Sequence, residues 1–274
     1  FMTGGRHAGR YLLCTAKSEM GAGAVMFVAT FEMFRIAGFS LKWWDLMTIP
    51  VGLIIAITGF VIYRYRQTRA MTVAQFFEMR YTRGFRLFTG LLAFFAGIIN
   101  FGIIPAISSN FFIYFLRLPQ VIELGGFAVP TFVPLMLMFT TVCVVLTIQG
   151  GQITVLLTDC LEGMISQIFY LIVAVTLLLM FSWSQMSTAL MATPPGQSMV
   201  NPFDSFQTKD FNVYFSLMAV AVWVYGTMAW QNSHAFNSSA ATPHESRMAN
   251  VLGRWRSFAQ GLMTTILALC AVTY

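Results

Sequence analysis

Ionisable residues and glycines stand together where the first long apolar segment begins, in the run Lys17–Ser18–Glu19–Met20–Gly21–Ala22–Gly23. If the segment crosses a bilayer, each charge at its centre costs at least about 2.5 kcal/mol, so the pair of Lys17 and Glu19 is unusual. A Gly-x-Gly sequence permits the helix to unwind, and unwound carbonyl oxygens coordinate Na⁺. The alternative is structural: Lys17 reaches the membrane surface and Glu19 pairs with it.

A second group follows the double glycine of Gln149–Gly150–Gly151–Gln152. Such a pair ends one helix and lets the chain reverse before the next. Asp159, preceded by Thr158, lies about two turns into the following apolar run, with Glu162 one turn further on the same face. Carboxylates facing a helix-bundle interior attract or bind a cation, or relay a proton. We assign Thr158 and Asp159 to an ion path, whereas Glu162 is better explained by a cap or an arginine partner.

The third group is Trp223–Val224–Tyr225–Gly226–Thr227. A glycine between an aromatic residue and a hydroxyl marks a break that lines a substrate cavity. An interfacial aromatic cluster with a packing glycine explains the same residues equally well. The sequence holds no nucleophile elbow, phosphate loop, zinc motif or DNA-binding motif, so we predict neither an enzyme nor a cofactor.

The elements that position these residues must be membrane helices. The 274 residues are 57% hydrophobic and 9% charged, against roughly 25% charged in soluble domains. Spanning helices need about 20 apolar residues, and barrel strands would alternate polar and apolar positions. The sequence therefore predicts an all-α, multi-span helical bundle of about seven transmembrane helices. The apolar runs are 18–36, 44–63, 86–116, 130–148, 152–183, 211–230 and 257–274.

The net charge of +6 is explained by its placement and not by nucleic-acid binding. With the first loop cytoplasmic and the helices alternating, eleven of the 16 Lys and Arg residues fall inside and three outside. This is the positive-inside pattern, and it predicts a multi-pass protein of the cell (plasma or inner) membrane with the lipid bilayer as its first partner. Within the inner loops, Thr72–Glu78 predicts a short amphipathic helix capped by Thr72. Residues 184–210 have the composition of a long outer loop.

Three motifs, in order and over nearly the whole chain, resemble the sodium:solute symporter family. Gly4–Gly5–Arg6 looks like that family's Gly-Gly-Arg-Ser entry. The segment from Thr72 through Phe76, Glu78 and Arg80 to Tyr81 looks like its T-x-x-E-F-x-x-x-R-Y segment, with the acidic residue displaced. Gly150–Gly151 followed by Thr158–Asp159 looks like its Gly-Gly-x-x-x-V-x-x-T/S-D-x-x-Q signature.

The resemblance implies a leucine-transporter-like fold of two inverted five-helix repeats, here incomplete. Residues 1–274 are then one transmembrane transporter domain, cut at both ends. The first repeat covers about 18–183, and two helices of the second cover about 211–274.

The family's coupling ion is Na⁺, which the resemblance places on the backbone carbonyls of Lys17 and Met20. Its other ligands come from an eighth helix that is missing, so the piece alone should not transport. The same mapping places Glu19, Thr158 and Asp159 on the ion path. The predicted substrate cavity comprises Ser18, Gly21, Gly23, Trp223, Tyr225 and Gly226.

Two departures from the family pattern concern the ion. Lys17 stands where a small residue is usual, so its ammonium could repel or replace Na⁺, and Glu162 stands where the signature has Gln. The leading expectation is Na⁺-coupled symport of a small organic solute. A membrane sensor, whose transporter-like domain feeds a missing cytoplasmic signalling domain, is the alternative, and a membrane scaffold without a solute is a third possibility.

Overall fold

The computed structural model describes residues 2–19, 23–124, 126–227 and 231–274, and it is 77% helical. In those ranges the chain forms eleven α-helices and one antiparallel strand pair. The helices are α1 (Arg10–Glu19), α2 (Ala24–Met47), α3 (Ile49–Thr58), α4 (Ile62–Gln67), α5 (Val73–Arg80), α6 (Arg83–Phe115), α7 (Phe132–Met180), α8 (Trp183–Met191), α9 (Val213–Tyr225), α10 (Gln231–Ser239) and α11 (Pro243–Thr273). The strands are β1 (Val121–Leu124) and β2 (Phe127–Pro130).

Three helical stretches are long and apolar enough to cross a membrane: Ala24–Gln67, Arg83–Phe115 and Phe132–Met180. The expectation of an all-α membrane protein is therefore confirmed at this level, while the count of seven spans stays a prediction. In α7 the glycine pair interrupts the helix as expected, because Gly151 adopts φ 56° and ψ −150°. This left-handed φ favours glycine, which has no Cβ to clash with the backbone.

Local signals account for the short elements. Thr72 caps α5 as predicted, with its side chain accepting the Gln75 backbone N–H. The loop expectation for 184–210 is wrong in its first part, where α8 forms. Ser182 and Gln185 make a reciprocal capping box there, and Met186 on α8 is buried in a cluster with Met263 on α11. These contacts stabilise a helix that composition alone does not indicate.

The packed core of the molecule is built around α1, which lies between α7 and α11. Its buried Leu13, Cys14 and Ala16 share a cluster with Leu156 of α7 and Ala249 of α11. In contrast, the most apolar stretch of α6 buries nothing within the chain. The chain therefore holds α1, and not its longest apolar helices, at the centre of its contacts.

The segment before α1 is tied to the connection between α10 and α11. Ala8 donates its backbone N–H to the Ser239 carbonyl at 3.1 Å and accepts one from Ala241 at 2.9 Å. From α4, buried Arg66 donates to the carbonyls of Ala240 at 2.8 Å and Ala241 at 3.1 Å. Residues near both ends of the sequence are thereby joined beside the entrance to α1.

Candidate functional site

The carboxyl-terminal end of α1 carries a buried carboxylate. Glu19, the last residue of α1, is only 6% exposed. It faces α7, where Gln167 Nε2 donates to one carboxylate oxygen at 3.4 Å and the Tyr170 hydroxyl donates to the other at 3.5 Å. Both contacts are long for hydrogen bonds to a charged group, which usually measure about 2.5–2.9 Å. The carboxylate is thus held in place but weakly compensated.

Glycine permits the close approach of α1 and α7 at this point. A Cβ on Gly163 would lie 2.5 Å from Glu19 Cγ and 3.0 Å from Thr15 Cγ2. The Gly163 carbonyl accepts a hydrogen bond of 2.8 Å from Arg256 Nη2 on α11. Gly163 therefore lies where three helices meet, and any side chain there would push α1 away.

Two further carboxylates, Asp159 and Glu162, lie on α7 within the electrostatic reach of Glu19. The charge of Glu19 acts on both Asp159 and Glu162 of α7. Asp159 is half-buried and Glu162 is exposed, and neither is in an ion pair within the described residues. Thr158 is exposed, and its hydroxyl donates to the Thr154 carbonyl at 2.9 Å. Glu19 on α1 and Asp159 on α7 thus lie near enough for their charges to repel each other, whereas the Thr158 hydroxyl is used within its own helix.

Lys17 points the other way, towards α10 and α11. Its Nζ donates to Asn237 Oδ1 at 3.2 Å and to Asn250 Oδ1. Asn237 also accepts from the Ser246 hydroxyl at 3.1 Å. The alternative of a Lys17–Glu19 pair at the surface is therefore wrong, because residues two apart on a helix do not face each other.

The sequence interpretation missed the partners of both charged residues. Gln167 and Tyr170 stand in the apolar sequence of α7, where a polar side chain needs a partner. Asn237 and Asn250 lie in the polar sequence of α10 and the start of α11, where nothing distinguishes them from their polar neighbours. Which partner a polar side chain finds depends on the packing of distant helices.

The remaining predicted site residues are spread over several surfaces. Trp223 on α9 packs against Gly52, and the Arg254 guanidinium lies over its ring at 4.5 Å. Tyr225, two positions on, is 89% exposed. Gly226 is the C-cap residue of α9 and keeps right-handed helical backbone angles, so the predicted break there stays a prediction. Trp223 and Tyr225 therefore do not line one cavity in this conformation.

Around the first break, the Ser18 hydroxyl donates to the Thr15 carbonyl at 2.8 Å. Gly23 is the exposed N-cap residue of α2. Met20 and Gly21, which the resemblance assigned to the sodium and substrate sites, lie outside the described residues.

No family model matches the chain, and none of the curated proteins or solved structures compared with it does either. Within the described ranges, no three His, Cys, Asp or Glu side chains form a group that could hold a metal ion. The site instead offers the buried carboxylate of Glu19 and a second carboxylate, Asp159, on which the charge of Glu19 acts. This combination suits a weakly held monovalent cation.

Proposed function

We propose that this chain is the membrane domain of a secondary active transporter that couples Na⁺ to the movement of a small organic solute. The observation that carries the proposal is the interruption of helical structure just before α2. Gly23, the N-cap residue of α2, has extended backbone angles (φ −106°, ψ 168°), and the buried Glu19 precedes it by four positions. Charged residues and helix ends at membrane depth are costly, and in transporters they mark the ion and substrate sites.

A second helix end at a corresponding position supports the proposal. Helix α9 ends at Tyr225, with Gly226 as its C-cap residue. Interrupted helices in matching places of two halves are typical of inverted-repeat transporters. In the proposed leucine-transporter-like fold, α1 and α2 are the first helix of one repeat, and α9 and α10 are the first helix of the other.

The two faces of α1 suggest how ion binding affects conformation. Glu19 on α1 and Asp159 on α7 make one side of α1 acidic, and a bound cation there would reduce the repulsion between the two carboxylates. Lys17 joins the opposite side to α10 and α11. A cation on the acidic side would stabilise the packing of α1 on α7. Because a ligand shifts a conformational equilibrium only by its differential affinity, this packing must differ between the two access states.

The test uses the full-length protein in proteoliposomes, with an inward Na⁺ gradient and a panel of radiolabelled amino acids, sugars and carboxylates. We expect Na⁺-dependent uptake of at least one solute, and slower uptake in Asp159→Ala and Glu19→Gln. Glu123→Gln, at an exposed acidic residue of β1, is the control and should transport normally. Absence of Na⁺-dependent uptake for the whole panel, together with absence of ²²Na⁺ binding, would contradict the proposal. Unchanged uptake in Asp159→Ala would remove that residue from the ion path.

A further inference from the structure

A wide cleft of about 1650 Å³ lies between α5, the first half of α6 and parts of α4, α9 and α10. Drug-sized ligands occupy pockets of about 300–1,000 Å³, so this cleft has room for a larger molecule. Its walls are mainly apolar on the α6 side and basic at one end. The residues that matter are Phe76, Phe77, Arg83, Arg86, Leu87 and Leu91.

The basic end of the cleft is formed by two arginines in the first turn of α6. Arg83 is exposed and belongs to no ion pair within the described residues. Arg86 pairs with Glu78 of α5 and keeps about half of its side chain exposed. Two guanidinium groups three residues apart lie on one helix face and can both reach a single phosphate. Only one of the two positive charges is offset by a carboxylate.

The apolar wall starts immediately after these arginines. Leu87 is 69% exposed and Leu91 is 53% exposed, although both lie on a helix long and apolar enough to cross a membrane. At 1.5 Å per residue, Arg83 and Leu91 are about 12 Å apart along the helix. Tyr81 and Phe85, with ring centroids 5.2 Å apart, lie at the junction, as aromatic residues do at membrane interfaces.

We propose that this cleft is a binding site for an anionic phospholipid. The phosphate of the headgroup binds Arg83 and Arg86, and the acyl chains follow α6 past Leu87 and Leu91. The charge at one end and the apolar wall beyond it match the two parts of such a lipid. The site does not depend on the proposed transport activity, since it requires only that α6 lies in the membrane.

The test measures lipid retention by the purified 274-residue chain in detergent. Native mass spectrometry counts bound phosphatidylglycerol in competition with phosphatidylcholine. We expect preferential retention of phosphatidylglycerol by the wild type. Arg83→Gln/Arg86→Gln should weaken that retention about 25-fold, at about fivefold for each arginine. Arg117→Gln, at an exposed arginine beyond the other end of α6, should bind as the wild type does.

Further variants separate a lipid site from simple charge attraction. Leu91→Trp narrows the apolar wall without changing the charge and should also reduce retention. Glu78→Gln releases Arg86 and should increase it. Circular dichroism and size-exclusion chromatography identify variants that fail to fold, and Leu91→Ala then serves as the milder change.

Three results would overturn the proposal. One is equal retention by the double arginine variant and Arg117→Gln. Another is full retention by Leu91→Trp, which would indicate surface charge alone. The third is complete displacement by millimolar inorganic phosphate, which would indicate a phosphate site.

Discussion

Glu245 joins the starts of two helices through Arg10. The Arg10 backbone N–H donates to Oε2 of Glu245 at 2.7 Å, and the guanidinium donates to both carboxylate oxygens at 2.6–3.1 Å. Arg10 is the first residue of α1, and Glu245 lies in the first turn of α11. One carboxylate thus satisfies an orphan N–H of α1 and also complements the dipole of its own helix. In the proposed transporter this contact closes the cytoplasmic ends of α1 and α11.

Glu245→Gln should loosen the start of α1. The amide keeps the shape of the side chain but loses its charge and bidentate acceptance, so the hydrogen bonds to Arg10 weaken. Because the pair is partly exposed, we expect a small change in Tm. We expect a clear increase in hydrogen exchange across residues 10–19. Glu123→Gln is the charge-matched control, and equal exchange in both variants would show that the pair does not hold α1.

The same contact should depend on pH. The hydrogen bond from Arg10 holds the pKa of Glu245 below its ordinary value of 4.5. The carboxylate therefore contributes its full stabilisation above pH 4.5, and this contribution is lost as the pH falls through the lower, folded-state pKa. Because intrinsic amide exchange slows as the pH falls, the measurement is the protection factor, which should decrease for residues 10–19 below pH 4.5 in the wild type. In Glu245→Gln this pH-dependent step should be absent, and a step of equal size there would assign the effect to other groups.

Gly163→Ala should separate α1 from α7. The new Cβ would lie 2.5 Å from Glu19 Cγ and 3.2 Å from the Thr15 carbonyl, neither of which can move away freely. Overpacking of this kind costs about 1–3 kcal/mol, which exceeds the gain of about 1 kcal/mol from replacing a helical glycine. Gly102→Ala is the control, because a Cβ there meets no atom within 4 Å. In thermal unfolding in detergent, Gly163→Ala should have a lower Tm than the wild type, and Gly102→Ala should have the same Tm or a higher one.

Lys17→Met should destabilise the contact of α1 with α10 and α11. The amide oxygen of Asn250 would lose its ammonium donor; because Asn250 is only partly buried, we expect the lower end of the range of about 1–3 kcal/mol for an unsatisfied polar group. Lys209→Met, at an exposed lysine, changes the net charge equally and should leave the Tm unchanged. The two variants can be compared in one melting experiment. If Lys17→Met and Lys209→Met have the same Tm, the ammonium does not stabilise the contact of α1 with α10 and α11.

Sequence patterns predicted the caps, the helix break and the buried charged residues better than they predicted the hydrogen-bond partners of those charges. The Thr72 cap and the break at Gly151 are local features, so the residue types alone predict them. The assignment of Glu19 and Asp159 to one ion path stays a prediction; in the structure the charge of Glu19 acts on Asp159. The asparagine partners of Lys17 lie 220 and 233 positions away. No local pattern specifies such a pairing, because it depends on how α1 is enclosed by helices from the other end of the chain.

Helix α8 shows a different reason for failure. The helix is short, and its amino-acid composition is typical of a loop. Its stability comes from the capping box of Ser182 and Gln185 and from the burial of Met186. A capping box can be read from sequence, but its weight depends on an apolar surface that only the folded chain provides. The loop predicted from composition is therefore correct for residues 192–210 and wrong for the residues of α8.

The pairing of Ala8 with Ser239 and Ala241 has a consequence for biogenesis. A ribosome that adds about 5–20 residues per second needs roughly 12–46 s between these points. Throughout that interval α1 has emerged, but the segment that will fasten its entrance has not been synthesised. During translation, the Lys17 side chain must therefore be sheltered by water, by lipid headgroups or by the insertion machinery until Asn237 and Asn250 are made. Glu19 needs the same shelter only until α7 supplies Gln167 and Tyr170.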